Sequence, residues 1–173
     1  MRYLILELGK IKIAIQVQRV AEVLRAGAFG PAPGSSYIGT IGWRGLPLSV
    51  IDPALLRSAG ARVGVIAAVE VRGVPLGIPG ERAIGISEIP EEKLKDPPPD
   101  SEAWITGLAG DTWLVEPDAL VGRVDLGQAM CARDEREFMA WCRQALAEMA
   151  ERRKSRSLKK AAEALGREME EKA

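Results

Sequence analysis

The sequence contains no histidine and no asparagine, and only 5% of its residues are aromatic. Histidine is the usual general base near neutral pH and a frequent zinc ligand, so its absence removes common routes to catalysis and metal binding. The segment 34–40 has the glycine spacing of a phosphate-binding loop but lacks the lysine that would contact the phosphates. We therefore expect no catalytic residues, no cofactor and no metal ion.

Cysteine and long apolar runs are also scarce. Cys131 and Cys142 share one face of a predicted helix. They would lie about 16 Å apart along it, too far for a disulfide, so free thiols in a reducing compartment are expected. The opening apolar run stops at Glu7, too early for a secretory signal, and no run reaches the ~20 residues of a membrane helix. These features predict a cytoplasmic protein without membrane insertion.

An excess of charge of either sign is also absent, because the sequence has 24 basic and 24 acidic residues. No overall field therefore favours nucleic acid or a membrane surface. The stretch 152–160 differs, because six of its nine residues are basic. It leaves an alternative function open: a divergent β-barrel protein whose basic helical tail binds nucleic acid or serves as a structural or oligomerisation module. Flanking acids and the lack of an aromatic-rich strand argue against nucleic acid as the partner.

The first 125 residues contain a duplicated unit, repeated at an offset of 63 to 67 positions. The segment 7–15 aligns with 70–78 without a gap, and 37–55 resembles 104–120. A duplication of this kind predicts two similar small β subdomains, at about 1–60 and 61–125. Residues 126–173 then form a C-terminal helical extension.

Local patterns predict strands over most of both units. Asp52 is expected to cap the turn into Ala54, because its carboxylate can accept from the following backbone N–H groups. Apolar residues at helical spacing predict one short helix, Val17–Arg25. In the second unit Pro79-Gly80 interrupts the corresponding segment, which predicts that its helix is short or lost.

The C-terminal extension carries two apolar stripes at helical spacing, one from Phe138 to Met149 and one from Leu158 to Met169. They predict two helices or one bent helix. The first stripe is too apolar to remain in water, so we expect it to pack on the protein's own barrel or on a second copy. Self-association through these helices, or partner docking by the second stripe, is a hypothesis.

The segment Gly39-x-x-Gly42-Trp43-Arg44-Gly45-Leu46-x-Leu48-x-Val50-Ile51-Asp52 resembles the CheW-like domain, the adaptor of bacterial chemosensory arrays. The family pattern there is Gly-x-x-Asn-x-Arg-Gly-x-x-x-Pro-Val-x-Asp, and Gly42 and Ser49 depart from it. The resemblance covers about residues 2 to 125. It implies a mainly β fold of two five-stranded β-barrel-like subdomains.

The resemblance also implies a non-enzymatic adaptor that joins a chemoreceptor's cytoplasmic tip to the regulatory domain of a histidine kinase. The pathway would be chemotaxis or twitching (pilus) motility. The partner-binding positions that carry over are Val20, Glu22, Gly39 and Arg44.

Each position also has a purely structural explanation. Val20 would be core, Glu22 a solvated helix position, and Gly39 a site of close backbone approach. Arg44 would stack on Trp43 or offer its five donors to a partner.

Overall fold

The computed structural model describes residues 1–129, 143, 147, 150–151, 153–160 and 163. The chain divides into two compact units, Met1–Ala132 and Arg133–Ala173. In the second unit residues 153–160 are helical and exposed. Both cysteines and the first apolar stripe lie outside the described residues. No helix among the described residues is long and apolar enough to cross a membrane.

The first unit consists of ten strands joined by hairpins, loops and short 3-10 turns. The turns are Val17–Arg19, Pro53–Leu56, Glu91–Lys93 and Pro117–Gly122. The strands are β1 (Arg2–Leu8), β2 (Ile11–Gln16), β3 (Val20–Arg25), β4 (Tyr37–Trp43), β5 (Leu46–Ile51), β6 (Val65–Val71), β7 (Val74–Gly80), β8 (Arg82–Glu88), β9 (Ile105–Ala109) and β10 (Thr112–Val115).

The strands form two five-stranded sheets, which confirms the predicted mainly β class. Sheet A has the order β8-β1-β2-β10-β9, and sheet B has the order β3-β6-β7-β5-β4. The pairs β2–β10 and β5–β7 are parallel, and all other pairs are antiparallel. Each sheet takes strands from both sides of residue 60. The sheets therefore do not coincide with the stretches 1–60 and 61–125 that the duplication suggested.

The exchange of strands between the repeats is reciprocal. Matching each strand of the first repeat with its equivalent in the second, from β1 with β6 to β5 with β10, turns the order of sheet A into that of sheet B. Each repeat gives its first hairpin to one sheet and its last three strands to the other. The two repeats thus have the same topology and are interleaved.

The predicted helix Val17–Arg25 is wrong. A three-residue 3-10 turn, Val17–Arg19, is followed by strand β3. Strand β3 pairs antiparallel with β6, with Val23 opposite Ala67. The backbone hydrogen bonds offered by β6 and the β-branched side chains of this segment outweigh a helical spacing of only four apolar residues. The second repeat likewise has a strand, β8, at this place.

The core follows from alternation along strands that are buried on both faces. In β1, Leu4, Leu6 and Leu8 belong to a large cluster that contains residues of both sheets. Tyr3 and Ile5, on the other face of β1, belong to a second cluster confined to sheet A and its loops. A third cluster occupies the corresponding face of sheet B, around buried residues of β5 and β6. Burial on both faces explains why the stretch 63–71 is almost continuously apolar.

Equivalent turns end the two repeats. The Asp52 carboxylate accepts a hydrogen bond from the Ala54 N–H at 2.8 Å, which confirms the predicted cap. The Glu116 carboxylate accepts from the Asp118 N–H at 3.4 Å at the corresponding place in the second repeat. A proline follows the acid in both turns, where its missing N–H has no helical partner to lose.

The exchange of strands predicts that neither repeat folds by itself. We expect fragments 1–60 and 61–132, made separately, to lack a cooperative thermal transition in circular dichroism, because each would expose half of the core between the sheets. An equimolar mixture should regain the transition. Cooperative unfolding of fragment 1–60 alone would contradict the interleaved arrangement.

Candidate protein-docking site

Side chains close sheet B across its two outer strands. Strands β3 and β4 lie at opposite ends of the sheet order. Nevertheless Leu24 of β3 packs in the same apolar cluster as Ile41 and Trp43 of β4. The indole Nε1–H of Trp43 also donates a hydrogen bond to the Glu22 carboxylate at 2.9 Å. Sheet B therefore curls into a barrel-like form. Its outer strands β3 and β4 meet through side chains along a line that we call the seam.

Arg44 lies at the tip of the β4–β5 hairpin, directly beside this seam. Arg44 and Gly45 both have positive φ, 50° and 74°, as a two-residue hairpin turn of the primed type requires. The guanidinium carbon lies 4.6 Å from the centroid of the Trp43 ring, and Nε lies 3.7 Å from a Glu22 carboxylate oxygen. Arg44 therefore does stack on Trp43, while 61% of its side chain stays exposed.

One exposed apolar side chain adjoins these three residues. Leu46 is the cross-strand partner of Trp43, and it is 40% exposed. Val23 is also exposed, but its register partner Ala67 belongs to the core cluster between the sheets, so Val23 points to the other face of β3. We call Glu22, Trp43, Arg44 and Leu46 together the seam surface. An aromatic residue, an arginine and an aliphatic neighbour in one place are the composition that recurs at the centres of protein interfaces.

The structure places the other two sequence-predicted residues away from the seam surface. Val20 is partly buried against the large core cluster, beside a bulge in β3. Gly39 is buried at a bulge in β4. A Cβ at Gly39 would lie 2.6 Å from the carbonyl oxygen of Gly30 and 2.8 Å from the Cβ of Phe29. The missing side chain at Gly39 thus leaves room for the loop that precedes β4. Gly30 of this loop forms an isolated antiparallel β-bridge with Thr40.

Sequence reasoning missed the link between Glu22 and Trp43. The prediction of a helix at Val17–Arg25 put Glu22 on a solvated helix face, whereas strand β3 carries it to the β4–β5 hairpin. A local signal was present in this chain, because Trp43 stands immediately before the arginine of a hairpin turn. Among the described residues no group of three acids or cysteines is arranged to hold a metal ion.

The fold defines a class of protein: two interleaved five-stranded β sheets, one of which exposes a surface with an arginine stacked on a tryptophan. A family model described as a CheW-like domain matches residues 2–125. The chain therefore belongs to the CheW-like domain family. Scaffolding proteins of this family are not enzymes, and a CheW-like domain implies a coupling role in chemosensory signalling.

A solved structure shows the same fold. The crystal structure of the scaffolding protein TtCheW from Thermoanaerobacter tengcongensis matches with a TM-score of 0.57 and 20% sequence identity. The match covers 66% of this chain and 88% of that chain. No curated protein sequence matches the chain significantly.

Gly39 gives a test of its positioning role. Gly39→Ala should lower the free energy of unfolding by about 1–3 kcal/mol, because the new methyl group overlaps the Phe29–Gly30 loop. Gly42→Ala is the matched control in the same strand, since a Cβ there meets nothing within 4 Å. Its effect should stay within about 0.5 kcal/mol. Urea denaturation measures both, and equal effects would contradict the close approach.

Proposed function

We propose that this protein is a non-enzymatic cytoplasmic adaptor that couples a chemoreceptor-type sensor to a histidine kinase in a chemotaxis or pilus-motility pathway. Membership of the CheW-like family supports the class of function. The observation that carries the proposal is the contact of Glu22, Trp43 and Arg44 on the seam surface. It explains how a domain without catalytic groups offers a defined docking point.

The geometry of Arg44 suits it to bind a partner. Its guanidinium is held by the Trp43 ring and by a single, long contact to Glu22, so most of its five donors stay available. A long side chain that is already ordered loses little conformational entropy on binding. Arg44 can therefore donate to a carboxylate or to carbonyl groups on the kinase's regulatory domain, while Leu46 supplies apolar contact.

A coupling protein needs a second surface for the sensor. Ile86 of β8 is 53% exposed, and its register partner Leu4 belongs to the core cluster shared by the two sheets. Ile86 thus lies at the rim of the space between the sheets. The apolar stripe of a receptor helix can dock in such a groove. We assign the sensor to this rim and the kinase to the seam surface.

The four positions implied by the family then take two kinds of role. Glu22 and Arg44 form part of the binding surface, because both are exposed and in contact with Trp43. Val20 and Gly39 are positioning residues, because Val20 packs against the core and Gly39 has no room for a side chain. Val20 orients β3, and Gly39 orients β4.

Charge reversal at Arg44 tests the proposal. Arg44→Glu should weaken binding of the regulatory domain of a histidine kinase from the same genome by about tenfold or more, equivalent to 1.4 kcal/mol. It removes the donors and places a carboxylate beside Glu22. Thermal stability should change little, because the side chain is mostly exposed. Isothermal titration calorimetry and a thermal melt measure the two quantities.

Arg72 provides a matched control for this experiment. It occupies the same position of a two-residue turn in sheet B, with φ of 48° against 50° for Arg44, and glycine follows it. Its side chain makes no ion pair with another described residue. Arg72→Glu should leave kinase binding unchanged. Equal losses in both variants, or unfolding of Arg44→Glu, would overturn the assignment of Arg44.

The nucleic-acid alternative has one observation in its favour. Residues 153–160 form an exposed helical stretch in which five of eight side chains are basic. A DNA-retention assay between about 50 and 200 mM salt tests it, because phosphate contacts weaken steeply with salt. The adaptor function predicts no retention at the lower concentration. Retention that falls with salt would support the alternative.

A further inference from the structure

The interleaved repeats allow sheet A and sheet B to be compared residue by residue. The β-bulges align equivalent strands of the two sheets. Ala21 is the unpaired, bulged residue of β3, and Ile84 is the bulged residue of the equivalent strand β8. In the same way Ile38 is extra in β4, and Thr106 is extra in β9. Isolated bridges to the preceding loops also fall at matching places, Gly30 to Thr40 and Lys95 to Leu108.

The comparison shows that the hairpin of sheet A is shorter. Beyond the bulge, β4 continues for five residues, Gly39–Trp43, before it turns at Arg44-Gly45. Strand β9 continues for only three residues, Gly107–Ala109, and turns at Gly110-Asp111. Trp43 and Arg44 therefore have no counterpart in sheet A. In the described part of the chain, no side chain of that hairpin forms a hydrogen bond or an ion pair with β8 across the corresponding seam of sheet A.

Side chains around the same place are also smaller in sheet A. In sheet B, Leu24, Ile41 and Leu48 pack in one cluster with Trp43. The alignment puts Ser87 at the position of Leu24, Ala109 at that of Ile41, and Thr112 at that of Leu48. Both the missing tip and the smaller side chains remove apolar volume from the seam of sheet A.

An open cleft occupies this place in sheet A. Its volume is about 410 Å³, within the range of about 300–1,000 Å³ usual for binding pockets. Its apolar lining includes Ile5, Ile84 and Ile89, and the smaller residues Ser87, Ala109 and Thr112 also line it. The cleft is thus the unfilled counterpart of the space that the Leu24, Ile41 and Trp43 side chains fill in sheet B.

Charged side chains lie along one side of the cleft. Glu88, Lys93 and Lys12 line it. Glu91 and Glu92 do not line it but belong to the same segment, 88–93, which runs Glu-Ile-Pro-Glu-Glu-Lys; none of its four charged residues forms an ion pair with another described residue. Lys12, also at the cleft, already donates to Asp111 at 2.7 Å. That hydrogen bond lowers the pKa of the Asp111 carboxyl. An incoming group that carries a positive charge matches the carboxylates of segment 88–93.

We propose that the sheet A cleft is a docking site for a partner protein that inserts an aromatic side chain flanked by an arginine. The aromatic ring fills the space between Ile84, Ile89 and Ala109, and the guanidinium pairs with the carboxylates of 88–93. The chain itself displays this chemistry once, at Trp43-Arg44, where it closes sheet B. In sheet A the same two groups come from outside.

Titration of the isotope-labelled full chain with N-acetyl-tryptophyl-arginine amide, followed by NMR, tests the proposal. Amide shifts should centre on 84–89 and 109–112. N-acetyl-tryptophyl-glutamate amide should bind several-fold more weakly, and N-acetyl-alanyl-arginine amide should cause no saturable shift. Equal responses to the two arginine probes, or shifts centred on the seam surface, would overturn it.

Two cleft-filling variants restore the side chains of sheet B and make the test specific. Ala109→Ile and Ser87→Leu should each weaken binding of the tryptophan probe by about tenfold or more, while the thermal midpoint is kept or raised. Ala103→Ile adds the same atoms at an exposed position outside the cleft lining and should bind as the parent does. Unchanged binding in both filled variants would overturn the proposal.

The docking role of the cleft and that of the seam surface can be rejected independently of each other. Arg44→Glu should leave probe binding at the cleft unchanged, and Ala109→Ile should leave kinase binding at the seam surface unchanged. If Ala109→Ile abolished kinase binding and Arg44→Glu did not, the kinase would be assigned to the cleft. That result would reject the assignment of the seam surface and leave the cleft as a docking site.

Discussion

The reciprocal exchange of strands between the two repeats is the constraint on which the rest of the structure depends. Strand β2 needs β10, and β5 needs β7, to complete their sheets through parallel pairs. Since parallel neighbours require long connections, the chain must cross between the sheets. The crossings pack both sheets against one core, so the surfaces that each sheet displays are held in a fixed relation. A coupling protein requires that property.

The sequence allowed the duplication and the fold class to be predicted, but not the exchange of strands. The hairpins β1–β2 and β6–β7 align without a gap, so their similarity is directly readable. Which copy a strand pairs with leaves no mark on its alternating pattern, because equivalent strands bury the same faces. Strand β3 was misread for a related reason: Val17, Val20 and Leu24 satisfy a helical period, and only the pairing with β6 decides between the two.

The candidate site divides in the same way. Arg44 could be predicted, because a hairpin turn with glycine at its second position is a local signal. The contact of Trp43 with Glu22 could not, since the two residues lie 21 positions apart and on opposite outer strands. It exists only because sheet B curls. For Gly39 a close backbone approach could be expected from the residue type, but its partner could not. That partner is the Phe29–Gly30 loop, which folds back on β4.

Differences between the repeats, more than their likeness, distinguish the two surfaces that we propose for docking. Where the copies agree, as in the bulges and the capped turns, they give both repeats the same topology. Where they differ, the seam of sheet B is closed by Trp43, on which Arg44 stacks, and the seam of sheet A is open beside Ile84. A perfectly symmetric duplicate would offer two identical surfaces and bind one kind of partner twice. Divergence at the seams gives one domain two distinct surfaces, which is what the proposed joining of unlike proteins requires.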